Sequence, residues 1–114
     1  MYQPLTIQET TLGRRIVLEV AGEVDLASVE DLTAALVNAQ ASRPRDVWVD
    51  LTDVQFMDST GLTALVIAHR LLDAPVRRLS LICPAGPVRR VLEISGIDRV
   101  MPVHANRDEA HAFN

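Results

Sequence analysis

The sequence predicts an α/β fold: a mixed, mostly parallel sheet of about five strands, about four helices, and an N-terminal hairpin. Three observations carry this expectation. Short apolar runs (Ile16-Val17-Leu18, Val47 to Leu51, Leu79 to Cys83) alternate with longer stretches of helical periodicity. Turn and breaker residues, among them Gly22, Pro44, Pro75 and Gly96, separate them. Only the turn at Gly13 divides the first two strand-like segments. At 114 residues, 48% apolar and 23% charged, the chain suits one domain spanning 1–114, able to bury a core without metals or disulfides.

Leu5-Thr6-Ile7 opens a strand that ends near Gly13, and Arg15 to Val20 forms a stronger one. Gly22-Glu23-Val24-Asp25 then punctuates the chain, with Asp25 the expected N-cap of the first helix. Leu26, Val29, Leu32, Leu36 and Val37 give that helix its apolar stripe, and Glu30 and Asp31 sit in its early turns. Val47 to Leu51 is the third strand and Asp53 to Met57 reads as a loop. The next helix follows Asp58, buries Leu62, Leu65, Val66, His69 and Leu72, and stops near Pro75. After the strand Leu79 to Cys83, a helix starts at about Pro87 with Val88, Val91, Leu92 and Ile94 apolar and Gly96 beyond its end. Val100 to His104 is expected as an edge strand and Asp108 to Phe113 as a last amphipathic turn or two. With the strands from Arg15, Val47 and Leu79 parallel, three loops meet at one carboxyl edge: Gly22 to Asp25, Asp53 to Asp58 and Pro84 to Pro87.

Charge and cysteine usage exclude several function classes. The net charge is −4, and the basic residues are all Arg, scattered among acids. A nucleic-acid partner calls for a clustered basic face, so none is expected. The single cysteine, Cys83, offers neither a disulfide framework nor metal-ligand spacing, and its apolar neighbours mark it as a packed thiol. The N-terminus lacks the basic and apolar segments of a signal peptide. Leu62 to Ala68, the longest near-continuous apolar stretch, falls far short of the ~18 residues that span a bilayer. A cytoplasmic protein without membrane association is expected, and its even charge mix favours a monomer.

The chemistry concentrates at Asp58-Ser59-Thr60-Gly61. A hydroxyl in the first turn of a helix lies beside unpaired backbone N–H groups and the positive dipole end, where a phosphate is well accommodated. Ser59 does not fit as a nucleophile. Met57 stands where a nucleophile elbow needs Gly, and His69 is about 15 Å along the same helix. Nothing in the sequence places His104 or His111 beside it, so no enzyme is expected. There is no Gly-rich nucleotide fingerprint, and Ala85-Gly86-Pro87 is only a weak phosphate-cradle signal. Asp50, Asp53 and Asp58 are read as loop and strand acids rather than Mg²⁺ ligands. On spacing alone, Ser59 remains either a phosphate acceptor or an ordinary capping residue.

The segment from Asp50 to Leu62 resembles the signature of anti-sigma factor antagonists, the single-domain members of the STAS family. Gly22-Glu23-Val24-Asp25 is similar to that family's turn before its first helix, and Pro87 to Ile97 to its third-helix motif. The resemblance implies a STAS-type fold and a partner-switching role. The unphosphorylated protein would bind an anti-sigma factor that is also a serine kinase, freeing the sigma factor. Phosphorylation of Ser59, with Thr60 as second choice, would end binding, and a PP2C-type phosphatase would reverse it. ATP and Mg²⁺ would belong to the kinase, leaving this chain without cofactors. The partner surface would comprise Gly22, Glu23, Asp25, Asp58, Ser59, Thr60, Gly61, Leu62, Ala85, Gly86 and Pro87. An unmodified STAS adaptor subunit of a stress-signalling or lipid-transport complex is the alternative.

Overall fold

Residues 1–72 and 78–113 are described in the structure, a computed structural model. Their elements are β1 (Thr6–Leu12), β2 (Arg15–Val24), α1 (Val29–Ala41), β3 (Asp46–Met57), α2 (Ser59–Leu71), β4 (Arg78–Ile82), α3 (Pro87–Ser95), β5 (Val103–His104) and α4 (Arg107–Phe113). The sheet order is β1-β2-β3-β4-β5; β1 is antiparallel to β2 and all later pairings are parallel. Each crossover from β2 to β5 therefore advances in the same direction. Right-handed connections then place α1, α2 and α3 on one face of the sheet. The strand order never reverses, so the fold has no switch-point crevice of the kind that holds nucleotides in doubly wound sheets.

Period-two alternation separates two cores. Ile16, Leu18, Val20, Val47, Val49, Leu79 and Leu81 face the helices and pack with Leu32, Leu36, Leu65, Ala68 and Leu92. Val17, Trp48 and Ile82 point to the opposite face, where α4 covers them with Ala110. Trp48 is 1% exposed there, with the Arg15 guanidinium 3.8 Å over its ring and His111 meeting it edge-on at 4.8 Å. Arg15 is also bidentate on Asp46 at 3.0 and 3.1 Å. Arg107 fastens the start of α4 to the sheet through Asp50 at 2.8 Å and Glu19 at 3.1 Å.

Several element boundaries differ from expectation. β2 continues to Val24 and β3 to Met57, so Gly22–Val24 and Asp53–Met57 are paired strand, not loop. Bulges between Glu19 and Ala21 and between Gly22 and Glu23 reset the alternation and bury Val24, Val54 and Met57. α1 begins at Val29 rather than after Asp25, leaving Leu26 exposed ahead of the helix; Val37 and Ile94 also face solvent. The expected fifth strand shrinks to Val103–His104, because Gly96 leads into a 3-10 turn at Ile97–Arg99. Leu65 and Leu72 are buried as expected, with Leu62 and Val66 packed at the margin. The expected stop at Pro75 lies outside the described residues.

Candidate functional site

The parallel register of β2 with β3 pairs Glu23 with Phe56 and Val24 with Met57. Asp58 then donates its backbone N–H to the Val24 carbonyl at 3.1 Å. Two of the three groups in the expected partner surface, the one from Gly22 to Asp25 and the one from Asp58 to Leu62, are thereby built into one edge. The third is placed differently. β4 pairs with β3 only as far as Ile82 opposite Asp50, and β3 continues to Met57 with α3 packed against it. Ala85, Gly86 and Pro87 are exposed and start α3, held by an Arg89 Nη1 hydrogen bond to the Cys83 carbonyl at 2.7 Å. Among the described residues no hydrogen bond joins them to the Asp58 segment.

Asp58 is the N-cap of α2, in extended conformation, and its Oδ1 accepts from the Thr60 N–H at 2.9 Å. The same oxygen accepts a short hydrogen bond from the Thr60 hydroxyl. That hydroxyl is the main reason the Asp58 carboxyl lies below its ordinary value of 3.8; partial burial opposes it, and the N–H groups of Thr60, Gly61 and Leu26 reinforce it. Ser59, the first helical residue, is exposed, and its hydroxyl takes no described hydrogen bond; only its carbonyl is engaged, by Thr63 at 2.9 Å. Neighbouring hydroxyls thus differ in state: Thr60 is occupied and Ser59 is free.

Gly61 is buried, and a Cβ there would lie 2.7 Å from Val24 Cγ1 and 2.8 Å from Met57 Cγ. Its lack of a side chain lets the first turn of α2 sit directly on the ends of β2 and β3. Gly22 is also buried, with φ +98, and a Cβ would come within 2.2 Å of the Pro4 carbonyl oxygen. The N-terminal segment crosses it there: Glu23 donates its N–H to the Gln3 carbonyl at 3.0 Å and accepts the Gln3 N–H at Oε2, also at 3.0 Å. Gly22 and Gly61, both expected in the partner surface, are buried and shape this edge from within. Glu23, Asp25, Asp58, Thr60 and Leu62 are partly exposed and Ser59 is fully so.

Asp25 is not the helix N-cap. Its Oδ1 accepts the Ser28 N–H at 3.1 Å, and its own N–H donates to Ser28 Oγ at 3.1 Å. The Ser28 hydroxyl donates to the Glu23 carbonyl at 2.9 Å, closing the turn before α1. Glu23, Asp25 and Asp58 thus lie on the edge that also carries Ser59.

Asp50 is tied to Arg107 and Thr52, and among the described residues no three His, Cys, Asp or Glu groups are placed to hold a metal. His69 is half-buried on α2, and its buried Nδ1 has no hydrogen-bond partner among the described residues. Cys83 is buried at the end of β4, and burial raises its thiol pKa above the ordinary 9.0. A groove of ≈ 440 Å³ between β1 and α1 is lined by Leu5, Ile7, Glu9, Leu18, Asp31, Ala34, Ala35 and Asn38, none of them an expected site residue. Sequence reasoning missed the Asp58–Thr60 bond, although Asp two residues before Thr at a helix start is its signal. No helix among the described residues is long and apolar enough to cross a membrane.

Comparison with known proteins agrees with this geometry. An anti-sigma-B factor antagonist of Staphylococcus aureus is 31% identical over 100 residues, covering 88% of this chain and 93% of the relative. An anti-sigma factor antagonist from Mycobacterium paratuberculosis shares the fold with a TM-score of 0.89 at 24% identity, over 95% of this chain and 92% of that one. The anti-sigma factor antagonist SpoIIAA in its unphosphorylated form aligns with a TM-score of 0.74 at 25% identity, over 90% and 91%. The STAS domain model matches residues 5–110, and with that match across nearly the whole length the chain belongs to the STAS domain family.

Proposed function

We propose that this protein is an anti-sigma factor antagonist that works by partner switching, with Ser59 as its phosphate acceptor. One observation carries the choice of residue: at the start of α2, the Ser59 hydroxyl is exposed and unbonded. The unphosphorylated protein binds an anti-sigma factor that is itself a serine kinase, and the sigma factor goes free. The kinase supplies ATP and Mg²⁺, a PP2C-type phosphatase restores the hydroxyl, and the exchange takes place in the cytoplasm. This chain acts as a binding module and not as an enzyme. The names of its relatives and the acids on the edge that carries Ser59 support this reading.

The physics of release is local. A phosphoserine adds about −1.5 to −2 charges beside Asp58, on an edge that also carries Glu23 and Asp25. At ~4 Å and an effective dielectric near 20, each unit of charge opposing an acid of the partner costs about 4 kcal/mol before screening. Half of that already exceeds tenfold in affinity. The first turn of α2 can hold the new charge near its N–H groups, so the domain need not unfold.

The test is intact mass after incubation with Mg-ATP and a candidate anti-sigma kinase, wild type beside Ser59→Ala. One phosphate on the wild type and none on the variant is the expected result. No phosphate from several active candidate kinases would overturn the switch and favour an unmodified adaptor.

A further inference from the structure

We propose that Asp58 selects the phosphate acceptor by masking Thr60, so that only Ser59 is presented to the kinase. This rests on the reading of Ser59 as a phosphorylation site and adds to it a specificity device. Two adjacent residues at the start of one helix carry primary and secondary hydroxyls, and a kinase that docks on this edge meets both. The Thr60 hydroxyl donates to Asp58 Oδ1, and the Thr60 N–H donates to the same oxygen at 2.9 Å. These two bonds fix the Thr60 side chain against the cap in a half-buried position. Ser59 is exposed and its hydroxyl has no such tether.

Transfer forms a bond from a hydroxyl oxygen to the γ-phosphorus of ATP and breaks that phosphorus's bond to the β,γ-bridging oxygen. ADP leaves with the electron pair, and the hydroxyl proton passes to a base of the kinase. The acceptor oxygen must turn toward the nucleotide, in line with the leaving oxygen. Ser59 is free to do so. Thr60 must first give up a hydrogen bond to an ionised carboxylate, the stronger kind of hydrogen bond. Asp58 acts here as a positioning residue, holding a neighbour away from the reaction.

The experiment compares Ser59→Ala with Ser59→Ala/Asp58→Gly, incubated with Mg-ATP and the kinase, and maps the phosphate by fragmentation mass spectrometry. Gly is chosen because it is tolerated at an N-cap nearly as well as Asp. Ser59→Ala should carry at most a trace of phosphate, while the double variant should carry at least about ten times as much, on Thr60. A merely structural Asp58 would leave Thr60 as unmodified in the double variant as in Ser59→Ala. More than a trace of phosphate on Thr60 in Ser59→Ala alone would overturn the mask, and its loss on removal of Asp58 would make the carboxylate an activator instead. A double variant that still binds the kinase but stays unmodified would also overturn it.

A second measurement needs no kinase. In the free wild type the Thr60 hydroxyl proton should be protected from exchange by NMR, and Asp58→Gly should abolish that protection. Exchange as fast as that of unbonded surface threonines in wild type would overturn the clasp. Should wild type accept no phosphate at all, the phosphoswitch itself fails, and hydroxyl exchange still decides the clasp.

Discussion

The backbone N–H of Asp58 donates to the carbonyl of Val24 at 3.1 Å, so the cap of α2 is fastened to the last residue of β2. The bond joins sequence segments more than thirty residues apart at the place where the Ser59 hydroxyl is offered. It also brings the end of β2, with Glu23 and Asp25, to the same edge as α2's first turn.

Ser59→Asp should weaken binding to the cognate anti-sigma kinase at least about tenfold, while Ser59→Ala stays within about threefold of wild type. Isothermal titration calorimetry at two salt concentrations would check both. A loss for Ser59→Asp that shrinks in high salt identifies charge rather than shape as the cause.

Gly61→Ala should destabilise the fold by about 1–3 kcal/mol, because the added methyl overlaps Val24 and Met57. At roughly 4 °C per kcal/mol for a domain of this size, the melting temperature should fall about 4–12 °C. The clash is with β-branched Val24 as well as Met57, so Met57→Ala in the same chain should relieve only the part due to Met57. Urea unfolding of the single and double variants measures it.

Gly22→Ala should act differently. Its Cβ would strike the Pro4 carbonyl, which is backbone, and φ +98 strains any L side chain. The N-terminal segment should lift from β2, and amide exchange at Glu23, which donates to Gln3, should quicken before the rest of the sheet loosens. Unchanged protection of the Glu23 amide would contradict this account.

Two groups give opposite pH dependences. Asp58 has a lowered folded pKa, so its contribution is present above the unfolded value and is lost as pH falls through the folded one. Asp58→Asn should therefore flatten the decline in stability below about pH 4. Cys83 has a raised folded pKa, so the unfolded chain ionises first and stability should fall as pH rises past about 9. Cys83→Ala should remove that alkaline decline, read by urea titrations between pH 7 and 10.

The general plan of the sheet was legible because Ile16 to Val20, Val47 to Leu51 and Leu79 to Ile82 are short apolar runs between helical periods. The overhangs of β2 and β3 were not. Glu23 and Asp53 look like loop residues, and the bulges after Glu19 and Gly22 break the alternation that would have exposed the pattern. Leu26 misled for a related reason: it keeps helical spacing with Val29, but the Asp25–Ser28 turn delays the helix. The site was legible in its residue types, Asp58 and Ser59 above all. Which residues would be buried was a matter of close approach, at Gly22 beneath Pro4 and at Gly61 against Met57, and no spacing rule reports that. α4's grip through Arg107 on Glu19 and Asp50 joins residues with no shared local pattern.

Trp48 is the only tryptophan, and it lies on the α4 face, with the sheet between it and the helix that presents Ser59. The fold thus carries an optical probe on the opposite side of the sheet from the proposed switch. Its emission should be that of a dry, shielded indole and should vanish into the unfolded signal when the fold is lost. It should be indifferent to phosphate on Ser59. Intrinsic fluorescence of this protein should therefore gauge integrity and be blind to the proposed switch, which would need a dye on the Ser59 edge to be followed optically.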